Sequence, residues 1–186
     1  MAGKVLASAL AGAMLGVVLA ASPALAQATA ADSQFVEKAG SGGLAEVQLG
    51  KLASKNGYSA QVKQFGRRMV TDHGKANLKL KTAARSAGLT PPTALLTEQQ
   101  DLADRLSKLS GETFDTAYMA AMLDDHKEDV TLFQKQAEGD GATALKRLAS
   151  QTLPVLEQHL GMAKQLAGMI GVDTAGGGTL KLHEGK

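Results

Sequence analysis

The sequence predicts an all-α protein, a four-helix bundle whose two halves are joined by a crossover connection containing a short extra helix. Apolar residues recur at three- and four-residue steps through four long segments, which is the period of an amphipathic helix. Turn residues divide these segments into two hairpins. The connection between the hairpins is long enough to run the length of a bundle, and no segment carries a competing strand pattern.

The first two helices form the first predicted hairpin. Asp32 or Ser33 can cap a helix that runs to about Lys55, and Asn56-Gly57 supplies turn residues after it. Ser59 then caps a second helix that ends at Gly88. Its apolar stripe contains Val62, Phe65, Met69, His73, Ala76, Leu80, Ala84 and Ala87.

The crossover begins with LTPPTALL (89–96), which cannot continue a helix because consecutive prolines lack N–H donors and restrict the residues before them. Thr97 and Gln100 resemble a capping box and open a short helix over 97–109. This helix breaks at Ser110-Gly111.

The second predicted hairpin follows. Its first helix ends at GDG (139–141) and carries Phe114, Tyr118, Met122, His126, Phe133 and Ala137. Its second helix runs from about Ala142 to Ile170, and Pro154 should kink it. One face of that helix holds Leu145, Leu148, Thr152, Val155, His159, Met162 and Leu166. The complete topology, two hairpins and one long crossover, is that of ferritin-like folds.

The N-terminus predicts secretion. Residues 1–26 combine one lysine, an apolar run and Ala24-Leu25-Ala26, which is the pattern of a cleaved signal peptide. The domains expected are therefore a signal peptide (1–26), a bundle domain (27–170) and a disordered Gly-rich tail (171–186). After cleavage we expect a periplasmic or secreted protein that is not integral to the membrane.

Composition, charge and missing motifs exclude several kinds of ligand, partner and activity. The chain has no cysteine, so disulfides and thiolate metal ligands are excluded. Removing Lys4 with the signal peptide lowers the formal charge from +2 to +1, which is too small for a nucleic-acid binder. No strand-turn-helix elbow frames a serine nucleophile and no glycine-rich phosphate loop is present. We therefore expect binding rather than catalysis.

Three of the four histidines lie on helical stripes where apolar residues would be expected. His73, His126 and His159 each fall mid-helix, and Glu46 lies on the equivalent face of the first helix. Each long helix thus supplies one polar group to the core, where bundles build metal sites. Three imidazoles and a carboxylate suit zinc or, with open positions, copper, iron or manganese.

Two features of the sequence argue against a compact ferritin-type site. The di-iron motif needs Glu three residues before two histidines, whereas Val70, Leu123 and Leu156 occupy those positions. Glu46 lies eleven residues before Gly57 in the first turn, and His73 lies sixteen residues after it. Their positions along the bundle axis therefore differ by five residues, or about 7–8 Å at about 1.5 Å per residue. The four groups are therefore predicted to form two levels.

A copper version of the site uses methionines. A thioether lies one helical turn from each histidine, in the residues Met69, Met122 and Met162. Methionine and histidine together suit Cu(I). Methionines on an apolar stripe also fill cores, so both interpretations remain open.

The histidines could instead be buried polar anchors that fix helix register. His73 could then bond Asn77 one turn along, and each imidazole could meet Glu46, a tyrosine or another histidine across the bundle. The charged residues around His126 are expected to form a solvated face; they are Asp124, Asp125, Lys127, Glu128 and Asp129.

Four motifs carry a family resemblance: FVEKAGSGGLAEVQLGKLA, MVTDHGKAN, LSGETFDTAYMAAMLDDH and LPVLEQHLGMAKQL. They span residues 33–167 and resemble the secreted bacterial family named domain of unknown function 4142. The resemblance implies a ferritin-like fold and no established activity. We expect a non-catalytic envelope protein whose surface binds an envelope partner, with a role in stress as one option. The alternative is a protein that stores, buffers or senses a transition metal.

Overall fold

A computed structural model describes residues 28–174, which form five helices. Helix α1 spans Ala30–Asn56 and α2 spans Ala60–Ser86, forming the first hairpin. The crossover contains α3, Thr97–Ser107. Helices α4, Gly111–Glu138, and α5, Thr143–Met169, form the second hairpin, and α5 continues through Pro154. The predicted all-α bundle with an extra helix in the crossover is confirmed.

The four long helices pack as a square. Helix α1 contacts α2 and α4, and α5 contacts the same two helices from the other corner. Hydrogen bonds to a buried aspartate join the two hairpins at each end of the bundle. At one end the Asp115 carboxylate accepts from the backbone N–H groups of Tyr58 and Ser59 at 2.9 and 2.8 Å. At the other end Asp32 accepts from the Ala142 N–H. The turn of each hairpin is thereby anchored to the opposite hairpin.

The helix starts agree only partly with the sequence-based prediction. Ser59 caps α2 as predicted, accepting from Val62 N–H at 3.1 Å. Helix α1 begins earlier than predicted because Thr29 is its cap and Asp32 closes a capping box with it. The capping box of Thr97 with Gln100 does not form. Helix α3 begins at Thr97 as predicted, but its cap residue is Leu96, and Gln99 accepts from the Leu96 N–H.

The small-residue stretch of α1 lets other chain segments approach its backbone. A Cβ at Gly40 would lie 2.7 Å from Cδ of Pro92, so the crossover prolines rest directly on α1. Ser41 accepts from the Leu96 N–H at 2.8 Å. These contacts hold the crossover along α1, with α3 packed beside it.

The apolar core is divided into two clusters by a polar layer. One cluster contains Leu49, Phe65, Met69, Tyr118, Met122 and Ala163 among others. The other contains Phe35, Leu80, Phe133, Leu145 and Leu156. The predicted face of α5 needs one correction, since Leu156 is buried and Val155 is exposed. Each long helix changes from one cluster to the other at its candidate site residue.

Some predictions fall outside the described part of the chain. The signal peptide and the tail from residue 175, including His183, lie there. Within residues 28–174, no helix combines the length and apolar character that crossing a membrane requires. Helix α5 ends where Gly171 takes a φ of 75° and the Val172 N–H donates to the Ala167 carbonyl at 2.9 Å.

Candidate metal centre

The four predicted site residues converge on one point. Glu46, His126 and His159 are fully buried and His73 nearly so. The three imidazole rings form a triangle whose centroids are 5.3–5.6 Å apart. The prediction of two levels is therefore wrong.

Side-chain direction explains this convergence. In an α-helix the Cα–Cβ bond tilts toward the N-terminus. Glu46 is closer to the α1–α2 turn and leans away from it, whereas His73 is farther and leans toward it. The same directions hold for His126 and His159 about the α4–α5 turn. In an antiparallel pair these tilts close the offset that a count of residues leaves open.

Glu46 lies at the centre of the cluster. Its Oε2 contacts Nδ1 of His73, and its Oε1 lies 3.4 Å from Nε2 of His126. On the far side, Nε2 of His73 lies 3.3 Å from Nδ1 of His159. Both ring nitrogens of His73 therefore face Glu46 and His159 rather than Asn77. The Asn77 side chain instead fills the space beside Gly43, where a Cβ would meet its Oδ1 at 2.1 Å.

Each imidazole has one nitrogen occupied by an oxygen that orients the ring. Nδ1 of His126 donates to the Met122 carbonyl at 2.9 Å. Nε2 of His159 donates to Asp72, which Arg68 also contacts at 3.2 Å. For His73 the oxygen is Oε2 of Glu46, which contacts Nδ1. A backbone carbonyl or carboxylate on the outer nitrogen is the usual environment of a metal-ligating histidine. The other nitrogen of each ring is left facing the cluster.

Two carboxylates that sequence analysis placed on a solvated face belong to the cluster. Asp129 is 9% exposed, and its carboxylate forms a group with Glu46 and His73. Asp125 is half-buried and forms another group with Glu46 and His126. The solvated-face prediction holds for Glu128, which is exposed, and is wrong for these two. Asp129 lies three residues after His126 and fills the gap in the α4 stripe before Phe133, a signal that periodicity could have revealed.

Burial shifts the pKa of the titratable groups in the cluster so that their neutral forms are favoured. Desolvation raises the pKa of Glu46 well above its usual range, and the Asp129 charge adds to this effect. Burial, with the charge of Asp125, raises the pKa of Asp129 to about 8. Burial lowers the pKa of His126 to about 3 and that of His159 to about 4. Without a cation, the folded protein therefore disfavours charge on every one of these groups.

Several buried polar atoms have no hydrogen bond within residues 28–174. They are the Tyr118 hydroxyl, Nε2 of His126 and the two oxygens of Glu46, whose contacts with His73 and His126 are ion pairs and not hydrogen bonds. Leaving such atoms unpaired costs about 1–3 kcal/mol each, more for charged groups. A cation among these donors would satisfy the carboxylate and the imidazole together.

Two of the three methionines of the copper interpretation lie in apolar surroundings, and the third contacts an arginine. Met69 and Met122 are fully buried in the first apolar cluster. Met162 is half-buried, and its sulfur lies 3.8 Å from an Arg68 nitrogen. These environments are those of core-filling thioethers. The copper version stays a prediction.

The cluster can be approached from two sides. A cleft of about 950 Å³ on the α1 and α4 side is lined by Asp125 and Asp129. A groove of about 270 Å³ between α2 and α5 is lined by His73 and His159, with Arg68, Lys75 and Lys79 near them. Asp125 and Asp129 therefore meet one surface, and His73 and His159 meet another.

Comparison with known proteins identifies the fold but not an activity. The family model described as Domain of unknown function (DUF4142) matches residues 18–166. A DUF305 protein from Streptomyces coelicolor, described as a "putative secreted protein", has a TM-score of 0.66 at 14% identity; the alignment covers 78% of this chain and 97% of that one. A DUF305 fragment from Deinococcus radiodurans has a TM-score of 0.64 at 16% identity, with 78% and 98% covered. No curated protein matches the chain.

Proposed function

The chain belongs to the DUF4142 family, and for this member we propose a non-catalytic role in the cell envelope: binding a divalent transition-metal ion in the bundle core. The ligands are His73, His126, His159 and Glu46. Storage, buffering or sensing of the metal would all use such a site.

The spacing of the donor atoms is the observation that carries this proposal. Zinc bonds of about 2.0–2.1 Å place two donors of a tetrahedral site about 3.3 Å apart. Nε2 of His73 and Nδ1 of His159 are 3.3 Å apart, and Oε1 of Glu46 and Nε2 of His126 are 3.4 Å apart. Each pair therefore has the length of one edge of a zinc tetrahedron, and one donor atom from each of the three imidazoles lies within 4.8 Å of the other two.

The facing pair of imidazoles supports the same proposal. Nε2 of His159 is the nitrogen that donates to Asp72, so in the neutral ring Nδ1 carries a lone pair toward His73. If Nδ1 of His73 donates to Glu46, its Nε2 also presents a lone pair. Two lone pairs at this distance need a proton or a metal ion between them.

The donor types favour zinc among the candidate ions. Imidazole and carboxylate suit zinc, iron, manganese and Cu(II), whereas Cu(I) prefers thioethers. Met69 and Met122 lie in the first apolar cluster and the Met162 sulfur lies beside Arg68, whereas the oxygens of Glu46 contact two imidazoles. The competing role, histidines as polar anchors, would hold His73 and His126 to Glu46 by ion-pair contacts without the hydrogen bonds that buried polar atoms usually make.

Secretion completes the proposal. The signal-peptide pattern of residues 1–26 and the secretion suggested for the Streptomyces coelicolor neighbour both support a mature protein that works in the periplasm or outside the cell. There the bundle domain of residues 27–170 would meet metal ions directly.

Elemental analysis tests the metal site. The mature protein is purified from the periplasm without chelator, beside a His73→Ala/His126→Ala double variant and a His183→Ala control that removes the fourth histidine. We expect one zinc per chain in the wild type and control, and none in the double variant. A wild type that is metal-free and takes up no zinc, copper, iron or manganese on titration would refute the proposal.

A further inference from the structure

The carboxylates of the cluster exceed what the imidazole site uses. Glu46 has oxygens close to both histidine-bearing hairpins, while Asp125 and Asp129 approach it from α4. In one group, single donor atoms of Glu46, His73 and Asp129 all lie within 4.8 Å of one another. In a second, donors of Glu46, Asp125 and His126 do the same. Glu46 is the member that both groups share.

From this placement we propose a second cation position beside Glu46 on the cleft side of the imidazoles, held by Asp125 and Asp129, which lie one helical turn apart on α4. It rests on the proposed function, since Glu46 would be shared with the imidazole site. The centre would then hold two ions.

A buried hydroxyl beside the carboxylates supports the second position separately from the zinc site, in which Nε2 of His126, 3.4 Å from Oε1 of Glu46, is a ligand. The Tyr118 hydroxyl is fully buried and makes no hydrogen bond, and it lies close enough to Glu46 and Asp125 for their charges to raise its pKa. A cation between these groups, or a water molecule bound to it, would satisfy them.

Access distinguishes the two positions. Asp125 and Asp129 line the large cleft beside α1, α4 and the crossover, whereas His73 and His159 line the groove between α2 and α5. An ion could therefore reach the carboxylates from the cleft without passing the imidazoles.

The donor chemistry defines which ion each position prefers. An oxygen-rich set suits a hard divalent cation such as Mn²⁺ or Fe²⁺, whereas an imidazole-rich set suits zinc. Paired metals in two-metal protein sites stand about 3.5–4 Å apart, a spacing that one shared carboxylate can bridge. The proposed centre would therefore be mixed, with zinc at the histidines and manganese at the carboxylates.

Manganese uptake by zinc-loaded protein tests the second position. The mature chain is loaded with one equivalent of Zn²⁺ and then titrated with Mn²⁺, while the electron paramagnetic resonance signal of free aqueous Mn²⁺ is followed. The same titration is made on Asp125→Asn, on Asp129→Asn and on Asp124→Asn. Asp124 is the matched control because it is on the same helix and pairs with Lys127 at 3.4 Å.

We expect the wild type and the Asp124→Asn control to take up one Mn²⁺ per chain and to keep their zinc. Each cluster variant should keep zinc and bind Mn²⁺ at least about 10-fold more weakly, as loss of a metal-supporting group typically causes. Circular dichroism checks that both variants fold, and either variant alone decides the outcome.

The result also separates the second position from the zinc site. Zinc uptake without manganese uptake, or manganese uptake that both cluster variants retain in full, would overturn the second position and leave the zinc site intact. Absence of zinc uptake by the wild type would overturn the proposed function itself.

Discussion

Replacing Glu46 by glutamine separates a metal ligand from a structural anchor. Glutamine has nearly the same shape and is neutral. Because burial raises the pKa of Glu46 well above its usual range, the metal-free wild type also holds a neutral side chain there. The change keeps the volume of the side chain, so its cost should be close to that of one hydrogen bond, about 1 kcal/mol. The metal-free variant should therefore unfold within a few degrees of the metal-free wild type.

Zinc should distinguish the two proteins. At a zinc concentration 100 times Kd, the wild type gains about 2.7 kcal/mol. For a domain of this size that is about 5–11 °C in Tm. Glu46 orients His73 and faces His126, so its loss should weaken zinc binding by about 100-fold, the upper end for groups that support a metal. At the same zinc concentration the variant would gain only about 0.4 kcal/mol, or less than 2 °C.

The assay is thermal unfolding followed by circular dichroism, with and without zinc. Glu128→Gln serves as the control because Glu128 is exposed on α4. It should show the full wild-type shift. If Glu46→Gln kept the same shift, Glu46 would not be a ligand. A loss of several kcal/mol in its metal-free form would instead identify it as a structural anchor.

Three further perturbations have signs and sizes that the structure defines. The pKa of Asp129 is about 8 in the folded protein, against an ordinary value of 3.8. The free energy of unfolding of the metal-free protein should therefore fall by roughly 1–2 kcal/mol as the pH rises from 6.5 to 8. Urea titrations at both pH values measure this change, and Asp129→Asn should remove it. Asp32→Ala should cost about 2–4 kcal/mol in urea unfolding, since the buried Asp32 carboxylate closes the α1 capping box by accepting from the Thr29 N–H and also accepts from the Ala142 N–H. A loss below about 0.5 kcal/mol would contradict both roles, because one capping interaction alone is usually worth about 1 kcal/mol. Gly50→Ala should cost about 1–3 kcal/mol of stability, because the new Cβ would lie 2.6 Å from a backbone oxygen of α2. At Gly161 a Cβ would have no atom within 4 Å, so Gly161→Ala should be neutral or stabilising by up to about 1 kcal/mol. Equal effects of the two substitutions would contradict the close approach of α1 and α2.

Local features of the fold could be predicted because they depend on neighbours in sequence. The Ser59 cap, the prolines of the crossover and the three- and four-residue stripes each act within one or two helical turns. The same periodicity found one polar residue on the buried face of every long helix. It did not find Thr29 as the first cap, because Ser33 and Asp32 are equally good capping residues by type.

The composition of the site depended on contacts between helices. Counting residues from the turns predicted two levels, because the count ignores the tilt of side chains toward each helix N-terminus. Asp125 and Asp129 looked solvated beside Lys127 and Glu128, since which part of α4 faces inward is decided by α1 and the crossover packing against it. Asp72 orients His159, a residue 87 positions away, and no local pattern encodes that pair.

The sequence alone therefore determined four amphipathic helices, their order and one core polar group on each. The tertiary structure decided that these groups meet and that the carboxylates of Asp125 and Asp129 join them. It also decided which nitrogen of each imidazole remains available to bind a metal ion. The physical reason is that periodicity defines the faces of a single helix, whereas the axial offset and rotation between helices are set by close packing, as where the backbone of Gly50 meets that of Gly66.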